Sequence, residues 1–399
     1  MAADDGLRPL SPTPDWNPHG EAELADPIGT HARLRAECPV AGSTEWGGFF
    51  TLTRYEDVVA ASKDPATFTA TRQSVIPASP KIGLPRLPLQ RDPPESHRYR
   101  QALNRFFRES RIAGMESPLR DKAEALRAEL EAEAEPEFGT AFSAPFSVRA
   151  LCLVIGMDVA EADEIGRLSH DYVAAVQSRD LKTAGGISRT IDGFARDLVA
   201  DRMAAPRDPE VDMVSGFMAH DTRGEPFDET ELAGMVRLLL IGGHVVPRNL
   251  MTSMAWHLCG DRDLQDRLRT DRVDRTLLVE EFLRFYSPNQ ALVRATTQDT
   301  KIGGRAIPKG CPVALNFLSA NRDETVFDAP MEFREDRHPN RHIAFGVGVH
   351  ACAGQPLARL EARIALDTLA AMPPFAAAGD PLWARWTEYG VSRLSLRWV

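Results

Sequence analysis

Cysteine is scarce in this chain: Cys38, Cys152, Cys259, Cys311 and Cys352 are five among 399 residues, odd in number and widely scattered. That spacing supports neither a disulfide framework nor a zinc site, so a reducing compartment is expected. Long apolar runs are missing too. No stretch reaches the ~18 residues that a membrane-spanning helix needs, and Met1 to Pro18 is polar and proline-rich without a signal-peptide pattern. A cytoplasmic protein with no membrane association follows as the expectation. Basic residues are outnumbered, 47 Lys+Arg against 57 Asp+Glu, and the net charge of −10 argues against nucleic acid as a general partner.

What is present fits a globular enzyme: 43% of the residues are hydrophobic, enough for a sizeable core. The length permits two or three domains or one large helix-rich unit. Residues 1–26 read as an irregular arm, because Pro, Gly and Asp dominate and no apolar period appears. Short helices are expected over His31 to Cys38 and Tyr55 to Ser62, with a strand over Trp46 to Leu52 between them. Thr71 to Gln90 holds four prolines and no lasting period, a loop long enough to suggest a functional role. Asp92-Pro93-Pro94-Glu95 reads as a helix start with Asp92 as the cap, leading into His97, Arg98, Arg100 and Phe106. Glu116 to Glu135 alternates charges and Ala as an exposed helix does, Val148 to Met157 is core, and helices are expected about Ala160 to Gln177 and Gly186 to Met203.

The most informative stretch is Phe345-Gly346-Val347-Gly348-Val349-His350-Ala351-Cys352-Ala353-Gly354. An extended run enters a glycine-punctuated loop that delivers Cys352 to the start of a helical pattern, Gln355 to Ala371. Backbone N–H groups and the helix dipole favour an anion there, which predicts a thiolate at Cys352, a strong iron ligand. Gly346, Gly348 and Gly354 are expected to take left-handed conformations and let the backbone approach a flat ligand closely. The segment resembles the haem-binding signature of the cytochrome P450 superfamily, F-G-x-G-x-H-x-C-x-G, at every fixed position.

The resemblance implies a mainly helical, triangular fold with a small β-rich lobe over residues 27–399, read as a single catalytic domain. It implies haem b with Cys352 as the axial ligand and Gly354 in the binding loop. Phe345 would lie against the sulfur, and Arg100, Arg294 and His350 would meet the haem propionates. His97 stands one place after the family's usual histidine, with Ser96 in that position. The pair Glu281 and Arg284 matches the family's E-x-x-R, and its spacing puts both on one helix face.

Asp228 caps a helical pattern running to about Gly260, some 30 residues and so roughly 45 Å. In the resemblance this helix crosses the distal haem face with the text A-G-x-[DE]-T-[TS]. Gly242 and Gly243 match the small pair that leaves room for dioxygen, whereas Val245, Val246 and Pro247 replace the acid, the alcohol and the residue after it. The two usual side chains for proton delivery are thereby lost. A proline inside a helix leaves the Gly243 carbonyl without its donor, so it either holds a water there or simply kinks the helix. On a continuous helical wheel His244 points away from the haem, as a packed or hydrogen-bonded residue.

Substrate walls implied by the resemblance are Val75, Ile76, Ile82 and Leu84 in the proline-rich loop, Ile241 on the distal helix, Asn289, Leu292 and Val293 in a strand, and Val391 in the last loop. Ile302 to Gly310 reads as a hairpin turn before a strand, Val313 to Phe317. The implied activity is monooxygenation of a small, largely apolar molecule, with electrons from NAD(P)H through a separate ferredoxin or flavodoxin and its reductase. The altered distal helix keeps oxidation without oxygen insertion, such as aryl coupling or desaturation, as the rival, and a non-enzymatic haem sensor as a third class. A basic face for the electron donor is expected from Arg98, Arg105, Arg108, Arg341 and Arg359.

Overall fold

Asp26 accepts a hydrogen bond from the Gly29 N–H at 2.8 Å, with Pro27 in the first turn behind it. That cap starts α2 (Pro27–Glu37) ahead of the expected His31, and a short α1 (Glu21–Ala25) already interrupts the segment expected to be irregular. The computed structural model describes residues 15–78, 83–157, 161–220 and 224–399. Next come β1 (Val40–Ser43), β2 (Phe49–Leu52), α3 (Tyr55–Lys63) and β3 (Phe68–Thr69). A helical stretch follows: α4 (Ser96–Phe106), α5 (Glu109–Ala113), α6 (Glu116–Glu131), α7 (Ala144–Ile155), α8 (Ala162–Gln177), α9 (Leu181–Ala204) and α10 (Met213–Met218). After it lie α11 (Glu229–Gly242), α12 (Val245–Gly260), α13 (Arg262–Arg269) and α14 (Arg275–Tyr286). The chain then runs through β4 (Ala291–Thr296), β5 (Thr300–Ile302), β6 (Arg305–Ile307), β7 (Pro312–Asn316), α15 (Phe317–Ala320), α16 (Gln355–Ala371), β8 (Phe375–Ala377), β9 (Leu382–Ala384), β10 (Gly390–Arg393) and β11 (Leu396–Trp398).

The architecture is mainly helical with a small β lobe, as expected. Its largest sheet has the order β1-β2-β7-β4-β3, with β2 and β7 parallel and the other pairs antiparallel. The main hydrophobic core lies among the helices, and two smaller clusters cover the faces of the sheet. The α6 surface is laced with i,i+4 pairs, Arg120 to Glu116 at 2.8 Å and Arg127 to Glu131 at 2.7 Å, which is the exposed helix its sequence predicts.

Two helix starts differ from expectation. Asp92 does not cap α4: its carboxylate accepts from the Ala70 N–H at 3.1 Å and from the Thr69 hydroxyl, closing the neck of the proline-rich loop. Glu95 takes the cap position, but its carboxylate accepts from Arg91 at 2.6 Å rather than from a helix N–H. The long distal helix is not continuous. α11 opens on a full capping box between Asp228 and Glu231 and ends at Gly242, and α12 restarts at Val245 after a non-helical His244 with φ −139° and ψ −26°. Hydroxyls from neighbouring helices serve the carbonyls on both sides of the break. Ser169 Oγ donates to the Leu240 carbonyl at 2.9 Å, and Ser147 Oγ lies 3.1 Å from the His244 carbonyl. Pro247 therefore sits in the first turn of α12, where a missing N–H takes no bond from the helix.

Candidate functional site

The cysteine loop is built by its own backbone. Cys352 N–H donates to the Phe345 carbonyl at 2.8 Å, and Ala351 N–H to the Gly348 carbonyl at 3.1 Å. Gly346 and Gly348 take φ of +68° and +76°, and a Cβ on Gly348 would come within 2.6 Å of the Ser62 carbonyl oxygen. Gly354 differs from expectation: with φ −78° it is an ordinary cap residue for α16, which spans the predicted Gln355–Ala371. Phe345 is half-buried, with the Arg359 guanidinium 4.7 Å above its ring.

Among the five cysteines only Cys352 is exposed by surface area. Protein atoms nevertheless crowd its sulfur enough for burial to push the thiol pKa up, against the opposing pull of the Gly354 backbone N–H, Arg100 and Arg359. Those three groups would favour a thiolate at Cys352 once a metal cation is bound there.

Three groups able to carry positive charge converge near the loop. Arg294 is 3% exposed, and burial pushes its pKa down to about 10, with Asp92 the opposing charge. Arg100 is half-buried and its pKa is likewise lowered by burial. Burial, then Arg294, push His350 down to about 4; its Nε2 lies 3.7 Å from Asp92 Oδ1 and has no hydrogen-bond partner. One carboxylate, Asp92, faces Arg294 and His350, while the charge facing Arg100 is that of Cys352. The cluster is short of negative charge, which is what a ligand with two carboxylates supplies. His97 is exposed and takes no part.

On the distal side the two glycines have different jobs. A Cβ on Gly242 would meet nothing within 4 Å, whereas one on Gly243 would lie 2.6 Å from Leu151 Cδ1. Gly242 fronts open space; Gly243 lets α7 pack against the break. Val245 is 6% exposed, and Ile241, Val246 and Pro247 are half-buried.

Behind the loop, Glu281 and Arg284 form the predicted bidentate pair at 2.8 and 2.7 Å, both fully buried. The sequence reading missed the rest of this network. The Glu281 carboxylate also accepts from Arg337 at 3.1 Å, from the Asn340 amide at 3.1 Å and from the Arg334 N–H at 2.9 Å, while Arg284 also donates to the carbonyls of Asn321, Pro330 and Glu332. The only local signal is an Arg and an Asn in an irregular stretch ahead of the cysteine loop.

A family model described as Cytochrome P450 matches residues 169–370. Cytochrome P450 109 of Bacillus spizizenii is 31% identical over 364 residues, covering 89% of this chain and 86% of its own. The chain belongs to the cytochrome P450 family. It is an oxidoreductase of the monooxygenase type. Vitamin D(3) 25-hydroxylase of Pseudonocardia autotrophica is 31% identical over 356 residues, 88% of this chain and 87% of its own. The myxobacterial cytochrome P450 CYP267B1, solved in complex with myristic acid, superposes with a TM-score of 0.86 at 28% identity, covering 94% of this chain and 97% of that one.

The residues present fit the haem that this family uses. Cys352 would hold the iron, and Arg100, Arg294 and His350, with its orphaned Nε2, would take the two propionates. The wall residues of this P450 divide. Val75, Ile241, Asn289 and Leu292 are half-buried, as cavity walls would be. Ile76 (3% exposed) and Val293 (0%) are packed with Trp16, Phe49 and Trp386, and Leu84 and Val391 are buried in the main core, so these four are core residues rather than wall. Alternation along β4 turns Val293 away from the face of Leu292. Ile82 lies outside the described residues.

The expected basic face is largely neutralised. Arg98 pairs with Glu231 at 2.8 Å, Arg105 with Glu210, and Arg359 with Glu280 at 2.6 Å, while Arg108 and Arg341 are exposed. Among the described residues no helix is long and apolar enough to cross a membrane.

Proposed function

We propose that this P450 inserts one oxygen atom from dioxygen into a small, largely apolar organic molecule. Haem b ligated by Cys352 is the cofactor, and electrons reach it from NAD(P)H through a separate ferredoxin or flavodoxin and its reductase. The observation that carries this reading is the open space before Gly242, bordered by the apolar, half-buried Ile241 and Val246. A site of that kind excludes water and holds substrate by apolar contact, with few polar groups to fix its orientation. Relatives named for apolar substrates, a Vitamin D(3) 25-hydroxylase, a Steroid C26-monooxygenase and a Linalool 8-monooxygenase, support the same class.

When bound, haem supplies the activation of dioxygen. The chain's own residues do the rest: Cys352 donates electron density, Arg100, Arg294 and His350 fix the propionate edge, and Glu281 with Arg284 hold the loop's support in place. Val245 and Val246 carry no proton to give. That departure favours a second reading, oxidation without insertion, such as aryl coupling or desaturation. Turnover under isotopically labelled dioxygen, with the product weighed by mass spectrometry, decides between them. One heavy oxygen in the product is expected, and an oxidised product without it sinks the insertion reading.

A further inference from the structure

The last loop was expected to bring Val391 to the pocket, and Val391 is core; three residues earlier the same loop presents a carboxylate. Tyr389 N–H donates to the Pro288 carbonyl at 3.1 Å and Ala291 N–H to the Thr387 carbonyl at 3.2 Å, and between these bonds Glu388 and Asn289 pair as an antiparallel bridge. Directly opposed residues of such a pair are side-chain neighbours, so Glu388 lies beside Asn289, one of the half-buried wall residues. From there β10 runs along α12, with Val391 N–H donating to Ser253 Oγ at 2.8 Å.

Glu388 also reaches the distal helix. Asn249 Nδ2 donates to its Oε2 at 2.8 Å. Asn249 stands three residues after Val246 on α12, so the two share a helix face, and Val246 borders the open space before Gly242. The other carboxyl oxygen, Oε1, accepts no bond among the described residues and is not sealed off by them. Glu388 is half-buried, yet burial, against the opposing pull of Asn249 and Arg248, pushes its pKa up to about 7. A carboxylate open to bulk water is not desolvated in this way, so the surface it keeps faces an enclosed space. Cys352 combines the same two properties, and there the enclosed space is the one haem would fill.

An apolar side chain would complete an apolar wall at lower cost. A carboxylate with a donor on one oxygen and none on the other is expensive to enclose, and the expense falls when a ligand brings the second donor. We propose that Glu388 is a specificity-determining acceptor in the substrate pocket, taking a hydrogen bond on Oε1 from a hydroxyl of an otherwise apolar substrate. Asn249 is the positioning residue: it occupies Oε2 and leaves Oε1 to the ligand. Arg248, whose charge already acts on Glu388, makes an uncharged donor a better fit than an ammonium group. The assignment narrows the substrate class given above and rests on that reading.

The test uses the haem-loaded protein at pH 8, above the Glu388 pKa of about 7, with cyclooctane, cyclooctanol and cyclooctanone as probes. Binding is followed without turnover, by the shift of the haem absorption band and by calorimetry. A pocket that lacks an acceptor ranks the hydrocarbon first, because the hydroxyl gives up its bonds to water and gains none. The parent should instead bind the alcohol about 10- to 100-fold tighter than the hydrocarbon, the range for a hydrogen bond to a charged group, and tighter than the ketone, which has no donor. In Glu388→Gln the Asn249 amide keeps the side-chain oxygen and turns the new NH2 toward the ligand, so the ketone should gain about 10-fold on the alcohol. Glu388→Leu should put the hydrocarbon first. Alcohol and hydrocarbon bound equally by the parent, or a ranking that neither variant changes, overturns the role of Glu388 and leaves the apolar pocket standing. Binding of none of the three probes overturns the apolar pocket, and the acceptor with it.

Discussion

Glu361 on α16 is 1% exposed, with no hydrogen-bond partner for either carboxyl oxygen, and burial raises its pKa well above the usual 4.5. The folded protein therefore keeps a proton there that the unfolded chain gives up, so this residue's effect on stability worsens as pH rises above about 4.5. Glu361→Met should flatten that decline and raise stability at pH 8 by about 1–3 kcal/mol, because an unmatched buried polar group is removed. Urea unfolding of parent and variant across pH 5 to 8 checks this, and parallel curves would put the charge elsewhere. Cys352 is the residue on which the site depends. Its substitution by Ala should abolish the red-shifted carbonyl absorption of thiolate-ligated haem, and a variant that keeps the band would disqualify Cys352 as the ligand. The loop that presents Cys352 was legible from the sequence because glycines, cysteine and following helix are contiguous. What acts on the thiol was not, since the burial that raises its pKa comes from packing that no local pattern records.

Distance along the chain explains what was missed among the elements. The apolar run Leu238 to Ile241 continues a helical pattern into the glycines, and Pro247 signals a kink without placing the break at His244. The groups that support the break are Ser169 and Ser147, 71 and 97 residues away from the carbonyls they serve. Asp92 was misread as a cap for a similar reason, its oxygens being taken by Thr69 and Ala70 across the loop. If the hydroxyls hold the break, Ser147→Ala with Ser169→Ala should lower stability by about 1–3 kcal/mol in chemical denaturation. Pro247→Ala should change it by less than about 1 kcal/mol, because a first-turn N–H has no helical acceptor. A large loss in Pro247→Ala alongside an unaffected double serine variant would return the origin of the break to the proline.

At the scale of the whole molecule, the order of motifs was enough to give the architecture: the arginine-bearing α4, the distal glycines, Glu281 with Arg284 and the Cys352 loop follow one another along the chain. The walls of the pocket were not legible, because Ile76, Val293, Leu84 and Val391 are claimed by clusters assembled from remote segments. What fastens the parts is the network on Glu281, which joins α14 to the stretch running into the cysteine loop. Asn321 extends it by accepting from the Ile343 N–H at 2.7 Å. Glu281 answers two buried guanidiniums, Arg284 and Arg337, so Glu281→Gln leaves both cations without a counter-charge and turns an amide donor toward them. Breaking a buried pair in this way should cost about 3–5 kcal/mol, whereas Arg167→Gln, which breaks a pair on the exposed face of α8, should cost about 0–1 kcal/mol. Urea unfolding of the two variants, with haem retention followed on the same samples, makes the comparison. Glu281→Gln should release haem at lower denaturant than the parent, before α6 and its surface pairs melt. Equal midpoints for the two variants would mean that the cysteine loop is held by its own backbone and the surrounding core rather than by this network.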